Sequence, residues 1–227
     1  MIITGFIKVD LVNYPGLVCA TVFTQGCNLR CPYCHNYELI AYKPACHSVN
    51  ENEVLLYLMK RHRFIDGVVV SGGEPTLQSG LKEFLSKVKE LGFKVKLDTN
   101  GTKPDVISDL ISEELVDYIA MDIKIPLNKY HLLSPTESEM VSSDILKSIS
   151  VIDCSGIEHE YRTTCVRKLL NYNDFRELWK LTANSKWYLQ VFNPHNSLAS
   201  LSSEDAYSER ELAELICNLN FKNAVIR

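Results

Sequence analysis

Residues 18–36 read VCATVFTQGCNLRCPYCHN and join a short apolar run to a cluster of cysteines. The run Val18–Phe23 is rich in β-branched and apolar side chains, which favours a buried strand. Cys27, Cys31 and Cys34 follow on the next loop with the spacing CxxxCxxC. In parallel α/β sheets, functional groups collect on the loops at the carboxyl ends of the strands. This stretch therefore predicts a strand that leads directly into a cysteine-bearing site.

Alternating β-rich and helical segments continue along the chain, which is typical of a parallel sheet covered by helices. Apolar residues between the β-rich runs recur at helical spacing, as they do from Leu81 to Leu91. Six strands in 227 residues fall short of a closed eight-stranded barrel, which takes roughly 250 residues. We therefore predict an α/β fold of the open, partial (β/α)6 TIM-like barrel type. The six predicted strands are Val18–Phe23, Gly67–Ser71, Lys94–Asp98, Tyr118–Ile123, His159–Val166 and Trp187–Phe192.

The chain contains no internal repeat, low-complexity tract or linker that would mark a domain boundary. We predict a single domain over residues 1–227, with a short N-terminal extension over residues 1–16. The segment from Pro126 to Ser143 is polar and irregular, so we predict a surface loop there.

The composition argues against several classes of partner. A formal charge of −4 and a pI near 5.9 provide no basic surface for phosphates, so nucleic acid is not expected as a partner. The N-terminal residues carry Lys8 and Asp10 among the apolar ones, which fits neither a signal peptide nor a membrane span. We therefore expect a cytoplasmic protein that does not bind membranes.

Clustered cysteines in a reducing compartment indicate a metal site and not disulfides. Thiolates are the usual ligands of iron–sulfur clusters, and a four-iron cluster normally takes four of them. Because the loop offers three, one iron would be free to bind a substrate. A structural zinc site is the alternative. It would need a fourth ligand, for which the candidates are His35, Cys46 and His47.

Three later strands also end in groups that suit a ligand. Ser71-Gly72-Gly73-Glu74-Pro75 ends the second predicted strand, Asp98-Thr99-Asn100-Gly101 the third and Met121-Asp122-Ile123-Lys124 the fourth. Glycines allow a ligand to approach the backbone closely. Each motif alone is also an ordinary turn or a solvated strand end. Their common position, one after another at strand ends, favours a single binding site.

The motif CxxxCxxC with Tyr33 before its third cysteine resembles the signature of the radical S-adenosylmethionine (SAM) enzymes. This resemblance implies a [4Fe–4S] cluster on Cys27, Cys31 and Cys34, with SAM bound beside it. It also implies that an electron from the cluster cleaves SAM into methionine and a 5′-deoxyadenosyl radical. The residues that it implies for SAM binding are Tyr33, His35, Gly72, Gly73, Glu74, Asp98, Asn100, Asp122, Lys124, Arg162 and His195.

The motifs CPYCHN, SGGEP, DTNG and DIK, in this order, are similar to those of the activases of glycyl-radical enzymes. The run from Val12 to Gly16 narrows the resemblance to the activating protein of anaerobic ribonucleoside-triphosphate reductase. It implies that the radical abstracts hydrogen from a glycine of that reductase, and that a donor such as flavodoxin reduces the cluster. It further implies a monovalent cation near Asp98 and Asp122. A second cluster between the cysteine loop and SGGEP would need several cysteines there. The sequence has only Cys46 in that stretch, so we expect a single cluster.

Three other functions stay open at this point. The chain could activate another glycyl-radical enzyme, such as pyruvate formate-lyase. It could be a radical SAM enzyme that acts on a small molecule, such as a heterocycle synthase. It could also be a metal-binding module without enzymatic activity, either zinc-stabilised or an electron carrier.

Overall fold

The structure is a computed structural model that describes residues 1–41, 48–134, 138–182, 185–195 and 197–227. Cys46 and His47, two of the candidate zinc ligands, lie outside the described residues.

Among the residues that the structure describes, eight strands form one sheet, and their order in the sheet is their order along the chain. The first two strands pair antiparallel, and all later pairs are parallel. The strands are β1 (Ile3–Asp10), β2 (Cys19–Thr24), β3 (Gly67–Gly72), β4 (Lys94–Thr99), β5 (Tyr118–Asp122), β6 (Glu158–Cys165), β7 (Trp187–Val191) and β8 (Ala224–Ile226).

One α-helix follows each strand from β2 to β7, so the described part of the chain contains six β/α units and the predicted open (β/α)6 fold is confirmed. β1 and β8 lie at the two edges of the sheet, which stays open between them. The helices are α1 (Glu51–Arg61), α2 (Leu81–Glu90), α3 (Pro104–Ser112), α4 (Ser138–Ser155), α5 (Tyr172–Thr182) and α6 (Glu209–Leu219).

The apolar patterns of the sequence account for the packing of these elements. Val68, Val69 and Val70 on β3 are fully buried, as expected for a strand covered by side chains on both faces. The apolar side chains of α2, among them Phe84 and Val88, are also fully buried in the core. None of the helices within the described ranges is long and apolar enough to cross a membrane.

Two segments are more regular than a loop. Within the N-terminal extension predicted over residues 1–16, Ile3–Asp10 forms β1 and pairs with β2. The segment from Pro126 to Ser143 is not a loop throughout. Leu127–Leu132 forms a 3-10 helix, and α4 begins at Ser138. The side chain of Tyr130 is fully buried and anchors the 3-10 helix to the core.

Candidate active site

A cavity of about 280 Å³ lies at the carboxyl ends of the parallel strands. Its wall brings together every site residue predicted from the sequence except His195: Cys27, Cys31, Cys34, Tyr33, His35, Gly72, Gly73, Glu74, Asp98, Asn100, Asp122, Lys124 and Arg162. The structure does not place His195 on this wall, although the segment after β7 contacts the cysteine loop where Asn193 meets His35. His195 is exposed there, and its backbone N–H donates to Asn193 Oδ1 at 3.1 Å.

The cysteine loop is fixed by backbone hydrogen bonds before any cofactor is considered. Gly26 has a φ of +95°, a left-handed conformation that glycine adopts without strain. The N–H groups of Gly26 and Cys27 donate to the carbonyls of Leu39 at 2.6 Å and Ile40 at 3.1 Å. These bonds set the direction in which the loop presents its three thiols to the cavity.

The thiol of Cys27 accepts two weak hydrogen bonds. Its Sγ lies 3.5 Å from the backbone nitrogen of Leu29 and 3.9 Å from Nδ2 of Asn100. The Asn100 side chain is itself held by Asn28, whose Oδ1 accepts from Nδ2 at 3.0 Å, and by Thr102, whose hydroxyl donates to Oδ1 at 2.7 Å. Asn28 and Thr102 were not identified from the sequence, because nothing in their local pattern indicates that they meet.

Burial makes the free thiols weak acids. It raises the pKa of Cys31 to about 12, and the nearby ammonium of Lys124 acts in the opposite direction. Burial also raises the pKa of Cys27 and of Cys34. The thiols are therefore protonated at neutral pH without a metal, and thiolate ligation has to release these protons. Lys124 is the fixed positive charge that favours the thiolates.

The two glycines of SGGEP serve a close contact between loops. A Cβ on Gly73 would lie 2.1 Å from the carbonyl oxygen of Gly26, and one on Gly72 would lie 2.4 Å from the backbone nitrogen of Thr24. The N–H of Gly73 donates to Thr24 at 2.9 Å, and the N–H of Glu74 donates to Gly26 at 2.7 Å. The two glycines line the cavity, as predicted from the sequence, and they also let the backbone of the cysteine loop approach closely.

Charged side chains on β4, β5 and β6, together with Lys124 just after β5, form a connected chain across the cavity. Arg162 Nε lies 2.7 Å from Asp122 Oδ1, and Arg162 Nη1 lies 3.4 Å from Asp98 Oδ1. Lys124 Nζ lies 3.2 Å from Asp122 Oδ2, and Lys96 forms an ion pair with Asp98. Although burial alone would raise the pKa of Asp122, the charges of Arg162 and Lys124 lower it to about 2. Burial likewise opposes ionisation of Asp98, but the charges of Arg162 and Lys96 lower its pKa. Both carboxylates are therefore ionised at neutral pH.

Tyr33 and His35 lie on the same loop but in different surroundings. Tyr33 is buried, and its hydroxyl has no hydrogen-bond partner among the described residues. His35 is exposed, and its Nε2 lies 2.5 Å from the carbonyl oxygen of Asn193. The His35 ring stacks on Phe192 with 6.0 Å between the ring centroids. Tyr33 is thus a buried residue of the cavity wall, while His35 lies at the edge of the cavity.

The residues present fit an iron–sulfur cluster with an organic ligand beside it. Three thiols, a buried hydroxyl without a partner and several fixed charges share one cavity. Within the described part of the chain, no three His, Cys, Asp or Glu side chains surround a single point where one metal ion would bind. Cluster ligands need not meet at one point, because each thiolate binds a different iron.

Comparison with known proteins places the chain in a family. The model of the radical SAM superfamily matches residues 21–180. A protein of Methanocaldococcus jannaschii named as a glycyl-radical enzyme activating enzyme is 34% identical over 100% of this chain and 95% of its own length. The pyruvate formate-lyase-activating enzyme of Staphylococcus aureus is 35% identical over 53% of this chain and 52% of its own length.

A solved structure supports the fold. The crystal structure of QueE from Escherichia coli has a TM-score of 0.57 and 14% sequence identity, and the match covers 100% of this chain and 93% of that one. At this identity the similarity is one of fold alone. Together with the family match and the full-length relative, it leads to one conclusion. The chain belongs to the radical SAM superfamily, whose enzymes use a [4Fe–4S] cluster and SAM.

Proposed function

We propose that this protein activates a glycyl-radical enzyme, and that its partner is an anaerobic ribonucleoside-triphosphate reductase. The observation that carries the proposal is the convergence of Cys27, Cys31, Cys34, Lys124 and Arg162 on one cavity. The full-length similarity to a protein named as an activating enzyme of this kind supports it. When bound, a [4Fe–4S] cluster supplies the electron that cleaves SAM into methionine and the 5′-deoxyadenosyl radical that attacks the glycine.

In this proposal Cys27, Cys31 and Cys34 hold the cluster. Three protein thiolates would leave one of its four irons without a protein ligand, and the amino and carboxylate groups of SAM could bind there. Lys124 and Arg162 supply positive charge for the SAM carboxylate or the ribose oxygens. Tyr33 lines the cavity, and its hydroxyl is buried without a partner among the described residues.

The other residues of the cavity act by holding these groups in position. Gly72 and Gly73 let the SGGEP segment lie directly against the cysteine loop. Glu74 and Asn100 join that segment to the DTNG loop. Asp98 and Asp122 fix the guanidinium of Arg162. No residue has to act as a general base, because the cofactors supply the chemistry and the protein supplies orientation and shields the site from water.

A protein substrate requires a site that a loop of the partner can enter. The sheet is open between β1 and β8, and His35 at the edge of the cavity is exposed. A glycine suits this reaction because it has no side chain to obstruct the approach. We propose a one-electron donor such as flavodoxin as the reductant.

The choice of reductase over other partners rests on the residues from Val12 to Gly16. In the structure Tyr14 is buried and packs on Tyr118 with 5.9 Å between the ring centroids. This part of the resemblance therefore concerns packing at the end of the sheet away from the cavity. Pyruvate formate-lyase is accordingly the second partner to test.

The experiment is anaerobic reconstitution with iron and sulfide, followed by dithionite and SAM. The reductase, pyruvate formate-lyase or no partner is then added. We expect 5′-deoxyadenosine in each case and a glycyl electron-spin doublet with the reductase only. A doublet with pyruvate formate-lyase alone would identify pyruvate formate-lyase as the partner in place of the reductase. SAM cleavage without any doublet would favour a small-molecule substrate.

A cysteine variant with a matched control tests the cluster ligands. Cys31→Ala should lose the iron–sulfur absorption near 400 nm and the 5′-deoxyadenosine together. Cys217→Ala, which removes an exposed thiol on α6, should retain both. An intact absorption band with full activity in Cys31→Ala would refute the assignment.

A further inference from the structure

The structure does not support the monovalent cation that the resemblance implies between Asp98 and Asp122. We infer instead that the guanidinium of Arg162 takes this position, so that SAM binding by this protein is independent of inorganic cations. The inference rests on the proposed function, because it concerns the same SAM pocket.

All four oxygens of the two carboxylates already have partners. Asp98 Oδ1 lies 3.4 Å from Arg162 Nη1 and also pairs with Lys96. Asp98 Oδ2 accepts the hydroxyl of Ser71 at 2.9 Å. The two oxygens of Asp122 pair with Arg162 Nε at 2.7 Å and with Lys124 Nζ at 3.2 Å. An inorganic cation would have to share or displace these contacts.

The charges point in the same direction. Two carboxylates, Asp98 and Asp122, face three cations, Lys96, Lys124 and Arg162, so the group carries a net charge of 3 − 2 = +1. The side chain of Lys96 is 2% exposed and that of Arg162 is 13% exposed. At such burial the solvent screens the charges weakly. A further cation would therefore be repelled by a group that is already positive.

The position of Arg162 is built into the sheet. Arg162 on β6 is the register partner of Asp122 on β5, and Asp98 lies on the next strand, β4. The guanidinium therefore extends from β6 across β5 to β4. Removing it would leave two carboxylates close together with Lys96 and Lys124 as their remaining partners, which is the arrangement in which a monovalent cation would become useful.

The arrangement also suits the ligand. Arginine has five N–H donors in a rigid planar group, and the two carboxylates contact Nε and Nη1. Donors remain to meet the SAM carboxylate directly. The negative charge of the SAM carboxylate neutralises the +1 charge of these side chains. Without that positive charge, an inorganic cation would be needed to balance the SAM carboxylate.

The test measures SAM binding to the reconstituted protein by anaerobic calorimetry. The buffers contain tetramethylammonium, sodium or potassium chloride at equal ionic strength. For the wild type we expect dissociation constants within about twofold of one another. Arg162→Gln should bind roughly tenfold more weakly in tetramethylammonium, as expected for the loss of a charged hydrogen bond, and potassium or sodium should restore most of the loss.

Two variants serve as controls. Arg162→Lys keeps the positive charge, and its SAM binding should remain independent of the inorganic cation. Arg210→Gln removes a surface arginine paired with Glu214 and should bind like the wild type in every salt. A fivefold or larger gain in wild-type affinity with potassium would overturn the inference. Unchanged, cation-independent binding by Arg162→Gln would do the same.

A second measurement needs no cofactor. Thermal unfolding of the metal-free protein should give the same midpoint in all three salts for the wild type. For Arg162→Gln, potassium or sodium should raise the midpoint by about 3 °C, because a bound cation stabilises the folded state. If SAM fails to bind in every salt, the proposed function is refuted. The unfolding data would still decide the role of Arg162, since a wild-type midpoint that rises with potassium contradicts the inference.

Discussion

The carboxylate of Glu74 accepts the backbone N–H of Asn100 at 2.6 Å and so joins the loop after β3 to the loop after β4. Its other oxygen accepts the hydroxyls of Thr76 at 2.6 Å and Thr99 at 2.8 Å. Burial raises the pKa of Glu74, and these hydrogen bonds act in the opposite direction. Glu74 is therefore a buried acceptor that connects two loops of the site, and its oxygens are occupied within the protein.

Glu74→Ala should lower the free energy of unfolding of the cofactor-free protein by roughly 3 kcal/mol, because it leaves several buried donors without an acceptor. Glu74→Gln keeps one acceptor oxygen and should lower the free energy of unfolding by roughly half as much as Glu74→Ala. Urea denaturation measures both values. Glu90→Ala, at an exposed position on α2, should change the value by less than about 0.5 kcal/mol. An equally small effect of Glu74→Ala would contradict the structural role.

The contact between Gly73 and Gly26 predicts a second effect on stability. Gly73→Ala should cost roughly 3 kcal/mol, because its Cβ would meet the Gly26 carbonyl oxygen at 2.1 Å and force the two loops apart. Gly92→Ala is the control. Gly92 has a φ of +85° with no atom near its would-be Cβ, so alanine there should cost about 1 kcal/mol of backbone strain alone. Equal losses in the two variants would show that the loop contact contributes nothing.

The strands of the (β/α)6 units could be predicted from the sequence to within one residue at each end. Runs such as GVVVSG in β3 are apolar and β-branched, and the other strands alternate with segments of helical spacing. β1 was missed because it is a half-exposed edge strand. Ile7 is 42% exposed and Val9 is 57% exposed, so burial leaves only a weak pattern there. β8 has three residues, too few for any periodicity.

The site was predictable as far as strand order determines it. Motifs at the carboxyl ends of neighbouring parallel strands must lie together, so Asp98, Asp122 and Lys124 were expected to meet. The contacts between them depend on side-chain directions across strands, which the sequence does not specify. Lys96 is an example. A lysine between two apolar residues of a strand, Val95 and Leu97, indicates a buried ion pair. Only the structure identifies Asp98 as the partner of Lys96.

The amide of Asn100 predicts an effect on the cluster itself. Its Nδ2 lies 3.9 Å from Cys27 Sγ, and hydrogen bonds to cluster sulfurs favour the more negative, reduced state. Asn100→Leu should therefore lower the midpoint potential of the reconstituted cluster, by on the order of tens of millivolts. Redox titration followed by electron-spin resonance measures the shift.

Two controls separate this effect from a loss of the cluster. Iron content per chain should be unchanged in Asn100→Leu, since the three thiols remain. Asn223→Leu is the control. The Asn223 amide donates to the carbonyl oxygens of Thr182 and Ser185, far along the sequence from the cysteine loop. Its loss should leave the midpoint potential unchanged. A potential in Asn100→Leu equal to that of the wild type would rule out a tuning role for Asn100.

The ion pairs of Asp122 predict how stability depends on pH. The pKa of Asp122 is lowered from 3.8 to about 2, with burial opposing the shift and the charges of Arg162 and Lys124 producing it. A carboxyl group whose pKa is lower in the folded state than in the unfolded state stabilises the fold above the unfolded value. This contribution is present above pH 3.8 and is lost as the pH falls through about 2.

Asp122→Asn removes the titrating group, so the wild-type advantage over it should shrink by about 2 kcal/mol as the pH falls from 5 to 2. Urea denaturation of the cofactor-free wild type and Asp122→Asn across this pH range measures the difference between their free energies of unfolding. Titration of the other carboxylates affects both proteins and cancels in this difference. In an Arg162→Gln background the same comparison should vary less with pH, because the largest favourable charge is missing. A difference that stays constant with pH in both backgrounds would mean that Arg162 and Lys124 do not hold Asp122 in its ionised form.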